Sequence, residues 1–254
     1  MDGSSILGLI EHMIRLEAAS GVPHVRYREP LIACVSADDP GMRSLPETAH
    51  PDHMVPTDLL PGGRSVVSFF LPFDREIVES NLVSRTDVSR EWVVAYLETN
   101  RLINRICSRL VRELAGIGVH AAAEPPTDNF DHTTLTSRWS HKSVAVASGL
   151  GSFGLHQMVI TDAGCAGRFG SLVLDAELPC GPKTARVRCL HFSGKECRAC
   201  VDQCPVNALS TEQAMDRERC WKRCLGVARR FTELGRAEVC GKCATGPCAL
   251  RSPV

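Results

Sequence analysis

No stretch of this 254-residue chain is apolar for long enough to cross a membrane. Its apolar runs, such as Val66-Val67 and Phe69-Phe70-Leu71, fall far short of the roughly 18 residues of a spanning helix. Charge of neither sign is in excess, with 29 Lys and Arg against 29 Asp and Glu. The clustered basic surplus that grips nucleic acid is therefore missing. The N-terminal MDGSSILGLIEHMIRLE lacks a positive start and a cleavage site, and reads as an amphipathic helix rather than a signal peptide. Tyrosine is scarce: Tyr27 and Tyr96 are the two candidates for any tyrosyl proton donor. The hydrophobic fraction, 44%, is that of an ordinary globular protein, and the length suits one large domain or two smaller ones. These absences lead us to expect a soluble cytoplasmic protein with no membrane partner, in a compartment that keeps thiols reduced.

Cysteine, by contrast, is abundant. Ten of the 13 cysteines lie in the last 75 residues. Their core is Cys197-x2-Cys200-x3-Cys204-Pro205, followed by Cys220, Cys224 and the group Cys240-x2-Cys243-x4-Cys248. A four-iron cluster needs four thiolates converging from a tightly turning backbone. In two-cluster ferredoxins the cysteine before the proline crosses over to ligate the other cluster. Applied here, the crossing assigns Cys189, Cys197, Cys200 and Cys248 to a first [4Fe-4S] cluster, and Cys204, Cys220, Cys240 and Cys243 to a second. The usual run would start at position 194, which is Gly194, so Cys189 must reach in across a longer loop with Cys180 as its competitor. Cys224 competes with Cys220 in the same way. Zinc held by four cysteines is the alternative for paired CxxC groups. The supply of thiols and the Cys-Pro step favour iron–sulfur, and a disulfide framework ranks below both.

The first two-thirds of the chain alternates helical and strand-like segments. Residues 5 to 19 carry a helical apolar face, Leu31 to Val35 is strand-like, and a strand follows Pro61-Gly62-Gly63. A long helix is predicted from Ser89, its N-cap, to about Gly116. VHAAA at 119 to 123 reads as a strand, 124 to 134 as a loop, about 135 to 148 as a helix, and QMVITD and RFGSLVLDAEL as two strands. The pattern predicts an α/β layer domain over 1–182 and a cysteine-rich domain over 183–254.

Residues 140 to 161, SHKSVAVASGLGSFGLHQMVIT, have a distinct texture. Gly149, Gly151 and Gly154 open a tight turn before a strand. Such a turn either brings backbone N–H groups up to a cofactor or ends a helix packed on a sheet. Followed by GCAGRFGSLVLDAELP and then CxxCxxxCP, this order resembles the epoxyqueuosine reductase family, best over 138–209. The ending EVCGKCATGPCALRSP is similar to that of a shorter branch of the family.

The resemblance implies a nitroreductase-like α/β (α+β) domain that binds cobalamin, joined to a ferredoxin-like domain with two [4Fe-4S] clusters, a layout shared with reductive dehalogenases. It implies that electrons from a donor such as a ferredoxin or flavodoxin pass through both clusters to cobalamin, whose low-valent state acts on a small molecule or a modified base. The family's catalytic Asp position lands on Leu135, with Asp131 and Asp128 in the preceding loop. The family Lys after the second glycine pair falls at Leu155, beside His156. No tyrosine lies where dehalogenases place their proton donor, and the neutral charge gives no grip for tRNA.

The candidate catalytic residues are thus Asp131, on a loop, and His141, able to donate a proton near neutral pH. The candidate cofactor-binding residues are Lys142, Gly149, Gly151, Gly154 and Cys165, the last between glycines and ahead of Arg168. Each has a simpler reading: a helix cap for Asp131 and His141, chain packing for the glycines, plain burial for Cys165. Cys34 and Cys107 read as core residues. Lys195, Arg198 and Lys222 form a basic face suited to an acidic electron donor, or merely a solvated one. The rival function is a ferredoxin-type electron-transfer protein without a substrate site. A flavin-bound reductase is a third.

Overall fold

The computed structural model describes residues 1–127, 129–183 and 186–254. Its centre is an antiparallel sheet of β1 (Leu31–Ser36), β2 (Ser65–Pro72), β3 (Ala121–Ala122) and β8 (Gly167–Leu174), in the order β1-β2-β8-β3. Every residue of β2 is buried, which requires cover on both faces. Alternation along the strand assigns the two layers. Val67, Phe69 and Leu71 pack against Ile10 and Ile14 of the Gly3–Ser20 helix and Leu102, Ile103 and Ile106 of the Arg90–Gly116 helix. Val66 and Phe70 face the other way, toward Trp139, Val144, Ala145 and Leu150. The architecture is mixed α/β with small antiparallel sheets.

Both long helices are capped by side chains, the second at Ser89 as its sequence predicts. Asp2 accepts the Ser5 N–H at 2.8 Å, and Ser89 accepts the Trp92 N–H at 3.2 Å, each satisfying a donor that the first helical turn leaves free. One expected helix is shorter than its sequence suggests. Instead of starting near 135, it spans His141–Ala147. The preceding residues form a hairpin of β4 (Phe130–Asp131) and β5 (Thr136–Ser137), with Leu135 at φ 55° in its turn. Trp139 is drawn into the core, its indole N–H donating to Ser171 Oγ at 2.9 Å.

A second hairpin, β6 (Gly151–Phe153) and β7 (Val159–Thr161), follows the His141–Ala147 helix. The cysteine-rich segment has little regular structure beyond the helices Ala199–Gln203 and Arg217–Arg230. It is nevertheless fastened to the sheet region. One core cluster contains Phe73, Trp92, Ile160 and Cys165 together with Val227, Phe231, Ala244 and Ala249. The buried Lys242 ammonium donates to the carbonyls of Asn81 and Ser84, and Asn81 donates to Cys240 O at 3.1 Å.

Two cysteines depart from expectation. Cys34 and Cys180 form a disulfide across a sequence separation of 146 residues, with Cα atoms 4.9 Å apart. Cys180 is therefore withdrawn from the competition with Cys189, and one disulfide exists where none was expected. Cys107 is a buried core residue, as its helix position predicted, and burial pushes its thiol up to about 12. Among the described residues no helix is long and apolar enough to cross a membrane.

Candidate cluster and cofactor site

The assigned cysteines lie near one another, and the contacts run across the two assigned sets. Cys189, Cys197, Cys200 and Cys248 line one small cavity, with Leu155, His156 and Ile160 of the β6–β7 hairpin as its wall and Cys243 at its edge. Burial, then the charges of Cys248, Cys189 and Cys197, push the Cys200 thiol up to about 12. Cys243 is likewise raised, by burial and then by the charges of Cys220, Cys240, Cys200 and Cys204. Cys204 is buried beside Cys200, Cys220 and Cys243. Burial and mutual repulsion thus keep these thiols protonated in the absence of a cation.

Among the described residues, the one trio of donor atoms within 4.8 Å of one another is His156, Cys165 and Cys248.

Each group has one extra thiol beside it. Cys165 is fully buried, with Sγ 3.8 Å from Cys248 Sγ. The Cys165 thiol, and then His156, hold Cys248 down to about 5 against its burial. At the other group the Cys224 thiol, and then the charge of Lys142, hold Cys220 down to about 7 against its burial, while Cys224 is pushed up. Cys220 is the more acidic thiol of that pair.

Lys142 is the link between this group and the sheet. Its ammonium donates to Gln157 O at 3.1 Å and feels the charges of Arg168, Cys243, Arg217 and Cys220. Arg168, on β8, donates from Nε to Asn100 Oδ1 at 2.9 Å and lies 4.6 Å from the Tyr96 ring centre. His141 is buried with Nδ1 2.8 Å from Ser171 Oγ, and among the described residues its Nε2 has no hydrogen-bond partner. Burial, then the charge of Arg168, lowers its pKa from 6.5 to about 4. The shift favours the neutral ring.

Asp131 lies elsewhere. Its exposed carboxylate accepts the backbone N–H groups of Thr133 at 2.6 Å and Thr134 at 3.0 Å. These bonds hold its pKa down, so the group is an ionised acceptor. It lines a polar cavity of about 650 Å³ with His50, His53, Asp58 and Arg138. No cysteine lines that cavity, and His141 is not brought to it. The hairpin carrying Asp131 does reach the cysteine segment: the Phe130 and His132 rings lie 5.2 and 5.4 Å from Trp221, next to Cys220. Asp128 lies outside the described residues.

The chain itself fills the space beside the three glycines. A Cβ on Gly149, at φ 83°, would lie 3.1 Å from Lys183 Cβ; on Gly151, 2.5 Å from Ile160 O; on Gly154, 2.8 Å from His156 Cε1. Close chain packing accounts for all three. The sequence reading passed over His156, Arg168 and His53 as site-wall residues. His156 carried the sole signal, its place in the glycine turn.

Solved structures match this arrangement along nearly its whole length. An epoxyqueuosine reductase from Streptococcus thermophilus superposes with a TM-score of 0.60 at 16% identity, over 98% of this chain and 68% of that one. An epoxyqueuosine reductase bound to an epoxyqueuosine-modified tRNA-Tyr stem loop gives 0.59 at 17%, over 96% and 66%. This chain has the epoxyqueuosine reductase fold. It spans about two-thirds of the length of those proteins. A catabolic reductive dehalogenase in complex with 3-bromo-4-hydroxybenzoic acid matches more weakly, with a TM-score of 0.54 at 14% identity, over 88% of this chain and 30% of that one. No protein-family model matches the sequence, and no curated protein matches it.

Proposed function

We propose that this chain is an iron–sulfur oxidoreductase of the epoxyqueuosine reductase type. It carries two [4Fe-4S] clusters, on Cys189, Cys197, Cys200 and Cys248 and on Cys204, Cys220, Cys240 and Cys243, and passes electrons to a reducible small molecule. What supports this reading is the gathering of thiols in the cysteine-rich segment: Cys189, Cys197, Cys200, Cys243 and Cys248 line one cavity, and Cys204 packs with Cys200, Cys220 and Cys243. The crossing of Cys204 to the second cluster is taken from the two-cluster ferredoxin pattern.

The wall between the clusters and the sheet supports a cofactor or substrate site. It offers the unpartnered Nε2 of buried His141, the half-buried Lys142 ammonium and the Arg168 guanidinium. A buried polar atom without a partner is costly, and a ligand rich in acceptors would relieve it. Cobalamin, with its many amide groups and a phosphate, fits that donor set and would supply a strongly reducing metal centre. In this assignment His141 donates or accepts one hydrogen bond without changing charge at pH 7, and Lys142 and Arg168 orient acceptor groups. The electron donor is an acidic protein such as a ferredoxin or flavodoxin. Protein purified without oxygen, with cobalamin supplied, should contain about eight irons and roughly one cobalt per chain. Iron without cobalt would favour the electron-transfer reading, without a substrate site. Absence of iron would overturn both.

A further inference from the structure

The two-cluster reading leaves unexplained why a histidine is built into the glycine turn that walls the first group. We infer that His156 is a positioning residue for the first cluster, donating its Nε2–H to the sulfur of Cys248 and thereby raising that cluster's reduction potential above what its cysteines alone would give. The inference rests on the two-cluster assignment and deepens it.

Four observations carry it. First, His156 is buried, 3% exposed, so whatever its ring nitrogens touch is fixed by the chain. Second, the tautomer is determined. The Met158 backbone N–H donates to His156 Nδ1 at 3.1 Å; Nδ1 is therefore an acceptor, and the ring proton sits on Nε2. Third, Nε2 lies 3.2 Å from Cys248 Sγ and 3.6 Å from Cys165 Sγ, so its N–H meets the ligand sulfur first. Fourth, the seat is prepared: a Cβ on Gly154 would stand 2.8 Å from His156 Cε1 and 3.1 Å from its Nδ1, so only glycine leaves room for the ring.

The partner side is equally fixed. The Cys165 N–H donates to Cys248 O at 2.9 Å, and the Ala166 N–H to Ala249 O at 3.0 Å. The sulfur and the imidazole are thus held by two backbone clamps that meet at the cavity wall. The same geometry argues against reading His156, Cys165 and Cys248 as a separate metal site. A metal on Nε2 would need that nitrogen bare. The proton would then move to Nδ1 and break the Met158 bond.

Reduction adds negative charge to the cluster and its sulfurs, and an N–H aimed at a sulfur stabilises the reduced form more than the oxidised one. Hydrogen bonds to the sulfurs are among the main determinants of cluster potential. Among the described residues no histidine donates to a cysteine assigned to the second cluster, which serves as the internal reference.

The test is a redox titration of the anaerobically prepared full chain, followed by electron paramagnetic resonance. It compares the natural protein with His156→Phe, which keeps ring volume and removes the donor, and His156→Gln, which keeps an N–H. In His156→Phe the first cluster should be about tenfold harder to reduce at a fixed potential, 59 mV for a one-electron couple. The second cluster should not move, and His156→Gln should recover part of the shift. Gly154→Ala, which displaces the ring, should shift the first cluster in the same direction and carries the comparison if His156→Phe does not assemble. An unchanged first-cluster potential at full iron content, or equal shifts in both clusters, would overturn the inference. Iron content well below about eight in the natural protein would instead overturn the two-cluster assignment, and is read before any potential.

Discussion

Cys248 meets the sheet region through two neutral donors, the His156 imidazole and the Cys165 thiol, whereas Cys220 and Cys243 meet it through the ammonium of Lys142. The first contact is short-ranged and directional, and depends on one N–H pointing at one sulfur. The second is a charge acting through partly buried space, and depends little on angle. Two cysteine groups drawn from one interleaved sequence thus receive different electrostatic surroundings from the same wall. An electron relay benefits from that difference, because unequal potentials give the transfer a direction.

The largest test of this comparison is to remove what both groups hold. Around the second group few residues are buried, chiefly Cys204, Ala208 and Leu209, whereas β2 is buried along its whole length. Chelating the iron should therefore abolish hydrogen-exchange protection across much of 186–254 while β1, β2 and β8 keep theirs. Equal protection with and without iron would mean that the segment folds on its own core. Next in size are the ligand substitutions. Cys248→Ser should lose about four of about eight irons and spare the second cluster, and Cys204→Ser should do the reverse. Loss of the same cluster in both variants would break the crossing.

Stability should respond to acid through the wall the two groups share. The His141 pKa is lowered from 6.5 to about 4, chiefly by burial. Below pH 6.5 the unfolded chain takes up a proton there that the folded one refuses. Stability is therefore full above pH 6.5 and falls as pH drops toward 4, by at most about 3 kcal/mol from this residue. His141→Gln should flatten that slope in denaturant titrations, leaving a remainder from His53, also lowered by burial. An unchanged slope would mean that His141 is not buried as described. The smallest effect is expected from Lys142→Met. It should lower the potential of the second cluster alone, by less than His156→Phe lowers the first, since the Lys142 ammonium already donates to Gln157 O. A shift confined to the first cluster would reverse the comparison.

Much of the fold was legible because its signals are local. The cap Ser89, the apolar face of the long helix and the strand at Ser65–Pro72 appear where periodicity and turn residues put them. The helix expected from about 135 was misread because its apolar residue Trp139 is recruited by Ser171, 32 residues away, and no window around 135 reveals that. The cysteine groups were readable since ligand spacing is itself a sequence pattern. The Cys34–Cys180 pairing was not, because sheet packing brings together thiols 146 residues apart. Gly149, Gly151 and Gly154 looked like a cofactor cradle, yet Lys183, Ile160 and His156 fill the space beside them. A tight turn against the chain and a tight turn against a ligand leave the same residues behind.

The central claim is that eight cysteines hold two four-iron clusters. The most direct measurement is iron and acid-labile sulfide per chain in protein purified without oxygen, read beside its metal content. The account predicts about eight of each and no stoichiometric zinc. About two zinc ions and no sulfide would contradict it, and would make the cysteine-rich segment a structural metal domain.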